Sequence, residues 1–143
     1  MNFTMIEAGL GMWGVHAGLC LKALAIGALL LFGLPLLLWP LRWARLLGWA
    51  VAAPDHLAIY FGRTLGMVTC ALAIATLMSL NHPLLWPLLY NLNIMIFLAN
   101  TGVHAWGAIK RIQPLAETWE IPYWFALALV QYLFYPATHW TWG

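Results

Sequence analysis

The chain has 143 residues, of which 64% are hydrophobic and 7% charged, and its mean hydropathy is +0.85. Soluble domains carry charge on about a quarter of their residues, so this composition predicts an integral membrane protein whose immediate surroundings are the lipid bilayer. The length fits a single domain over residues 1–143. The net charge of +2 and the lack of any lysine–arginine run exclude a phosphate-tracking surface, so no nucleic-acid partner is expected.

Four stretches have roughly the 20 mostly apolar residues that a membrane-spanning helix needs. They cover residues 15–39, 59–80, 84–109 and 122–138, and the last is the shortest. Prolines mark several limits, since Pro40 follows the first stretch, Pro83 opens the third, and Pro122 would occupy the first turn of the fourth. We expect an all-α fold with four transmembrane helices in an antiparallel bundle.

The segment "LRWARLLGWAVAAPDHLA" joins the first two predicted spans and is apolar apart from two arginines and an aspartate–histidine pair. Its start is typical of a short interfacial helix that lies along the membrane surface. Basic residues occur in this loop and in the loop between the third and fourth spans: Arg42, Arg45, Lys110 and Arg111. The positive-inside rule then places both loops in the cytoplasm. The chain is predicted to cross the cell inner membrane several times, with both termini on the non-cytoplasmic side.

The N-terminal "MNFTMIEAGLGMW" has no basic region ahead of its apolar run and includes Glu7, so we expect no cleaved signal peptide. Tryptophans cluster near the predicted span ends, as interfacial anchors do, and Trp124 is one of the residues expected in the inner aromatic belt. The two cysteines, Cys20 and Cys70, fall within predicted spans and are expected to stay reduced and packed.

Glycines recur at four-residue spacing on the first two predicted spans. Gly14 and Gly18 form one G-x-x-x-G pattern, and Gly62 and Gly66 form another. Such a spacing lets helix backbones approach closely. Two interpretations stay open: these faces close the bundle itself, or they bind another membrane subunit or a second copy of the chain.

Polar residues on the third predicted span follow a helical spacing. Asn93, Asn100 and His104 share one stripe with Phe97, and Gln131 falls near the middle of the fourth span. Amides and imidazoles are poorly solvated by hydrocarbon, so each needs a partner or a ligand. Three interpretations stay open: the residues form interhelical hydrogen bonds, they line a pocket for an apolar ligand such as a quinone, a pigment or a sterol, or they line a polar transport path. The pattern identifies no cofactor.

Three histidines map to the outer half of the predicted bundle, and imidazole is a good ligand for zinc, copper or iron. His16, His82 and His139 are therefore candidate metal ligands, although no carboxylate or thiolate accompanies them at a useful spacing. A bis-histidine haem site is not expected, because His16 and His104 would lie at opposite depths.

Two carboxylates, Glu117 and Glu120, precede the predicted fourth span in "AETWEIPYW". Negative charge is favoured at a helix N-terminus, so we expect them to stabilise that helix start. Paired carboxylates also perform acid–base chemistry. There is no nucleophile triad, phosphate-binding loop or dinucleotide fingerprint.

With "FGRTLG" opening the second span, the general layout resembles the small four-helix membrane proteins of the DoxX-like type. The resemblance rests on span number and hydropathy, and it implies a fold and no functional residue.

The predicted loops are too short to hold a separate catalytic or recognition domain. The sequence therefore favours a small non-catalytic accessory or assembly subunit that packs within a larger membrane complex, for example a redox or light-harvesting one. The alternatives are a binding protein for an apolar ligand, which would use Asn93, Asn100, His104 and Gln131, and a small membrane enzyme or transporter. An enzyme would use His104 with Glu117 or Glu120.

Overall fold

A computed structural model describes residues 10–51 and 53–136, and every regular element within these ranges is helical. The helices are, in chain order, α1 (Gly14–Leu38), α2 (Pro40–Leu46), α3 (His56–Asn81), α4 (Pro83–Lys110) and α5 (Leu115–Leu133). The predicted all-α class is confirmed. α1, α3 and α4 are each long and apolar enough to cross a membrane, and their bounds lie within three residues of the first three predicted spans.

The outer surfaces of these three helices are apolar. Only 22% of the most apolar 18-residue window of α1 is buried, and the value is 17% for both α3 and α4. A water-soluble fold buries most of its large apolar side chains, and here most of them face outward. This distribution agrees with association with a membrane.

The helix α5 differs from its prediction. It begins at Leu115 and ends at Leu133, and Pro122 lies inside it. Pro114 precedes the helix in an extended conformation with ψ of 160°, so this proline, rather than Pro122, marks the helix start. The predicted end at Thr138 lies outside the described residues.

A proline shapes the second half of α1. The segment Leu29–Gly33 is π-helical and is followed by a last α-helical turn, Leu34–Leu38, that includes Pro35. Pro35 has no N–H to donate to the Leu31 carbonyl four residues earlier. The indole Nε1 of Trp43 on α2 donates to that carbonyl at 2.9 Å, which ties the short α2 to α1.

The four predicted packing glycines all lie against other parts of the chain. A Cβ on Gly14 would be 2.6 Å from the Tyr135 carbonyl oxygen, and one on Gly18 would be 2.7 Å from the Trp86 ring. On α3, a Cβ on Gly62 would be 2.6 Å from Pro40 Cβ, and one on Gly66 would contact the backbone of α1. Each glycine therefore permits a close contact within the monomer.

The centre of the core lies where α1 meets α4. Ala17, Leu21 and Tyr90 are fully buried there, and the Tyr90 hydroxyl donates to the Ala17 carbonyl at 2.9 Å. The Tyr90 ring also packs edge-on against Tyr135, which follows α5. α1 therefore contacts α3 through one face and the α4–α5 pair through another.

α4 and α5 pack against each other in opposite directions. Side chains late in α4 meet side chains early in α5, and Asn93 near the middle of α4 meets Gln131 near the end of α5. The inward positions of both helices are spaced by three and four residues, and on α4 these spacings alternate strictly, as in coiled-coil packing. They are Tyr90, Asn93, Phe97, Asn100, His104 and Gly107 on α4, and Glu117, Glu120, Trp124, Ala128 and Gln131 on α5.

Replacing Gly66 by alanine is expected to destabilise the protein. The new Cβ would lie 2.9 Å from the Gly33 carbonyl oxygen and would also contact the Leu37 nitrogen, and neither backbone atom can move independently. Overpacking of this kind costs about 1–3 kcal/mol of unfolding free energy. The measurement is denaturant unfolding in detergent micelles, followed by helical circular dichroism.

Gly27→Ala is the matched control, because a Cβ on Gly27 has nothing within 4 Å. This variant should be as stable as the parent protein, or more stable by up to about 1 kcal/mol through helix propensity. Equal effects of the two substitutions would show that the contact at Gly66 is unimportant.

Candidate histidine–glutamate site

Two helix ends bring the site together. Gly48 lies two residues after the end of α2 and has φ of +87°, and the N–H groups of Gly48 and Trp49 bond back to the carbonyls of Arg45 and Ala44. This is a Schellman motif, and it favours glycine because of the left-handed backbone. It turns the chain so that Trp49 reaches α5.

α4 ends in the same way. Arg111 has φ of 55°, and the N–H groups of Arg111 and Ile112 bond to the carbonyls of Ala108 and Gly107. The Gln113 side chain then lies against Gly107 and donates to the Thr118 hydroxyl at 3.2 Å. This tight connection starts α5 beside the last turns of α4, so the first turns of α5 face His104.

The His104 imidazole lies between two carboxylates of α5. Its Nδ1 atom is 3.1 Å from Glu117 Oε2, and its Nε2 atom is 3.5 Å from Glu120 Oε2. Within the described part of the chain, these are the two contacts at ion-pair distance between a basic side chain and a carboxylate. The three side chains are 11%, 10% and 17% exposed, so the cluster is nearly closed to solvent.

Each carboxylate also accepts a hydrogen bond from an indole. Trp49 Nε1 donates to Glu117 Oε1 at 2.7 Å, and Trp124 Nε1 donates to Glu120 Oε2 at 2.8 Å. Indole is a donor with no acceptor atom, so it can stabilise a carboxylate without offering it a competing lone pair. The two bonds fix the carboxylates beside the imidazole ring.

Aromatic rings form one wall of the cluster. The Trp124 ring is nearly parallel to the His104 ring, with centroids 6.4 Å apart and an interplanar angle of 16°. Its centroid is also 5.7 Å from that of Phe97 and 5.4 Å from that of Phe32 on α1. The polar cluster therefore lies against an apolar wall, where charge is costly unless it is neutralised.

The electrostatic balance of the cluster is unequal. With both carboxylates ionised, the cluster keeps a charge of −1 even when the imidazole is protonated. The arrangement can exchange protons between imidazole and carboxylate, or it can bind a cation through one ring nitrogen and two carboxylate oxygens.

The four predicted ligand-binding residues do not form one site. Asn93 Nδ2 donates to Gln131 Oε1 at 3.2 Å, and the buried Gln131 donates onward to Cys20 Sγ at 3.4 Å. Asn100 Nδ2 bonds to the Ile96 carbonyl of its own helix at 2.9 Å, and His104 belongs to the glutamate cluster. A shallow cavity of about 370 Å³ lies elsewhere, and its lining residues are Leu37, His56, Ile59, Tyr60, Arg63, Thr64 and Met67.

The structure does not bring the three predicted outer metal ligands together within the described residues. His16 and His82 are exposed, and His139 lies outside the described residues. Within the described part of the chain, the group of three potential metal ligands that the structure brings together is His104, Glu117 and Glu120.

The expectation for the two glutamates is confirmed in part. Glu117 lies in the first turn of α5, as expected, whereas Glu120 lies beyond that turn because α5 starts at Leu115. Each carboxylate also contacts His104 and accepts a hydrogen bond from an indole. Trp124, expected in the inner aromatic belt, also forms one wall of the cluster. A correct helix start would have revealed both features, because Glu117, Glu120 and Trp124 share one helical face at spacings of three and four.

The hydrogen bond from Trp49 to Glu117 could not be predicted from the sequence, because it depends on the turn at Gly48.

The chain matches no protein-family model, and comparison with curated proteins and with solved structures finds no similar one. The resemblance to DoxX-like proteins therefore stays a prediction.

Replacing Trp49 by phenylalanine is expected to loosen the loop between α2 and α3. The change keeps the ring but removes the donor to Glu117, and a hydrogen bond to a charged group contributes about 1.5–3 kcal/mol. Trypsin cleavage after Arg45 in native micelles should become at least about tenfold faster, as the local opening becomes easier.

Trp106→Phe is the control, because Trp106 is exposed and its ring contacts Lys110 rather than the cluster. It should leave the cleavage rate at Arg45 unchanged. If Trp49→Phe also left that rate unchanged, the bond between Trp49 and Glu117 would not hold the loop.

Proposed function

We propose that this protein is a four-span integral membrane protein of the cell inner membrane, and that it acts as a small non-catalytic subunit within a larger membrane complex. The observation that carries the proposal is Asn91, an amide on the outer surface of α4 without a hydrogen-bond partner in the described part of the chain.

The depth of Asn91 makes its lack of a partner informative. α4 has 28 residues and is about 42 Å long, whereas the hydrocarbon core of a bilayer is about 30 Å thick. If α4 crosses the membrane centrally, Asn91 lies about 12 Å from the helix start and about 6 Å inside the core. Lipid tails offer an amide no hydrogen bond, so a polar group of another polypeptide is the natural partner.

Four other polar side chains of the long helices have hydrogen-bond partners within their own helix. Asn100, Thr69, Thr76 and Thr101 each bond to a carbonyl of their own helix. No buried side-chain nitrogen or oxygen among the described residues lacks a partner. The monomer is therefore complete inside, and the unmet need lies on its exterior.

The surface around Asn91 suits a neighbouring helix. Asn91, Met95, Leu98 and Gly102 are all exposed and lie at spacings of four, three and four, which places them on one stripe. Nothing lies within 4 Å of a Cβ built on Gly102, so a second helix has room to approach the backbone there.

Asn91→Leu is expected to weaken assembly while leaving the monomer folded. One interhelical amide contact contributes about 0.6–2 kcal/mol, which corresponds to an association constant about three- to thirtyfold lower. The measurement is the mass distribution of the gently extracted protein, by native mass spectrometry over a range of detergent dilutions.

Asn100→Leu is the matched control, because it removes an amide from the same helix that already bonds to its own backbone. It should not change the mass distribution. A monomeric parent protein without co-purifying chains would contradict the proposed role, and so would equal dissociation of both variants.

The topology of the proposal depends on whether α5 also crosses the membrane. Its 19 residues are about enough to cross a membrane, but α5 is not among the three helices that are both long and apolar enough to do so. With four crossings, reporter tags fused to the two ends should both be accessible to an impermeant reagent outside intact spheroplasts. Tags on opposite sides would show three crossings and would contradict both the four-span arrangement and the predicted sidedness.

A further inference from the structure

With both glutamates ionised, the His104 cluster has a negative charge that its own residues do not balance. Glu117 and Glu120 contribute two negative charges when ionised, and His104 contributes at most one positive charge. No lysine or arginine forms an ion pair with them in the described ranges, and Lys110, late in α4, lies over the Trp106 ring. A divalent cation with a neutral imidazole would bring the sum to zero.

The three side chains offer a suitable donor set at a suitable separation. One ring nitrogen and one oxygen from each carboxylate lie within 4.8 Å of one another. Donor atoms around a tetrahedral ion with bonds of about 2.1 Å are about 3.4 Å apart. The two carboxylate oxygens therefore need to move slightly closer to the ring nitrogen to bind such an ion. Glutamate side chains can make this adjustment by rotation while both helices stay in place.

The surroundings of the donors are those of a metal site. The indoles of Trp49 and Trp124 bond to the two carboxylates and orient them, as outer-shell partners of metal ligands do. The rings of Phe97, Phe32 and Trp124 exclude water from one side, which strengthens the attraction between a cation and its ligands.

We propose that His104, Glu117 and Glu120 bind one divalent first-row transition-metal ion. Imidazole favours zinc and iron, and carboxylates favour manganese, so zinc, iron(II) and manganese(II) fit the mixed set better than magnesium, which prefers oxygen ligands in a near-ideal octahedron. Three protein ligands leave at least one coordination position open. The site does not depend on the proposed role in a complex, and it is separate from the three outer histidines.

The test uses the full-length protein in detergent micelles, stripped with a chelator and then titrated calorimetrically with zinc chloride or manganese chloride. We expect one equivalent of zinc to bind to the parent protein, and magnesium chloride to give no comparable binding. His104→Gln and Glu120→Gln should each lower the zinc affinity at least about a hundredfold, because even outer-shell substitutions cost 10–100-fold. Trp49→Phe, as an outer-shell change, should cost about 10–100-fold.

His82→Gln is the matched control, since it removes an exposed histidine that was also a candidate ligand. It should leave the zinc affinity unchanged, and circular dichroism should show that every variant keeps its helical content. The proposal is overturned if the parent protein binds neither zinc nor manganese, which would mean that a shared proton neutralises the cluster. It is also overturned if His104→Gln and Glu120→Gln bind zinc as the parent does, or if His82→Gln alone removes binding.

Discussion

The need to neutralise two carboxylates between apolar helices organises one end of this protein. Glu117 and Glu120 lie on the face of α5 that packs against α4, and His104 lies between them. Removing one partner of a buried ion pair costs about 3–5 kcal/mol, because the remaining charge is then isolated. The same contacts set the register of α4 against α5, and through Trp49 they also attach the loop after α2. A local charge requirement thereby determines how three separate segments meet.

Where α1 meets α3, the packing depends on close approach at glycines rather than on charge. Gly33 lies against Cys70, and Gly66 lies against Leu37, so the two helices approach more closely than larger side chains would allow. Such contacts gain dispersion energy and need no hydrophobic effect, which is absent between helices in lipid. α1 can therefore pack closely on α3 while it offers Phe32 and Cys20 to the α4–α5 pair.

Patterns in the sequence predicted the parts of the structure that depend on composition over long windows. The helices α1, α3 and α4 follow from runs of apolar residues, whose ends Pro40 and Pro83 mark closely. The site was only partly predictable. His104 was recognisable as a polar residue that needs a partner, but the choice of Pro122 over Pro114 as the start of α5 hid the face shared by Glu117 and Glu120. The Trp49 contact depends on the left-handed backbone of the preceding Gly48, and no periodic pattern encodes it.

The same cluster bears on how α5 relates to the membrane. Glu117 and Glu120 lower the mean hydropathy of the α5 sequence, because hydropathy treats every glutamate as fully exposed to its surroundings. In the folded chain, however, both carboxylates bond to an indole and contact an imidazole, and their side chains are 10% and 17% exposed. Burying a carboxylate in lipid costs far less free energy when it is paired and hydrogen-bonded than when it is isolated. From Pro122 onward, "YWFALALV" is uncharged up to the buried Gln131, which is itself bonded to Asn93. Pairing with α4 thus removes the main energetic objection to burying α5 in lipid, and the proposed fourth span depends on that pairing more than on its own hydropathy.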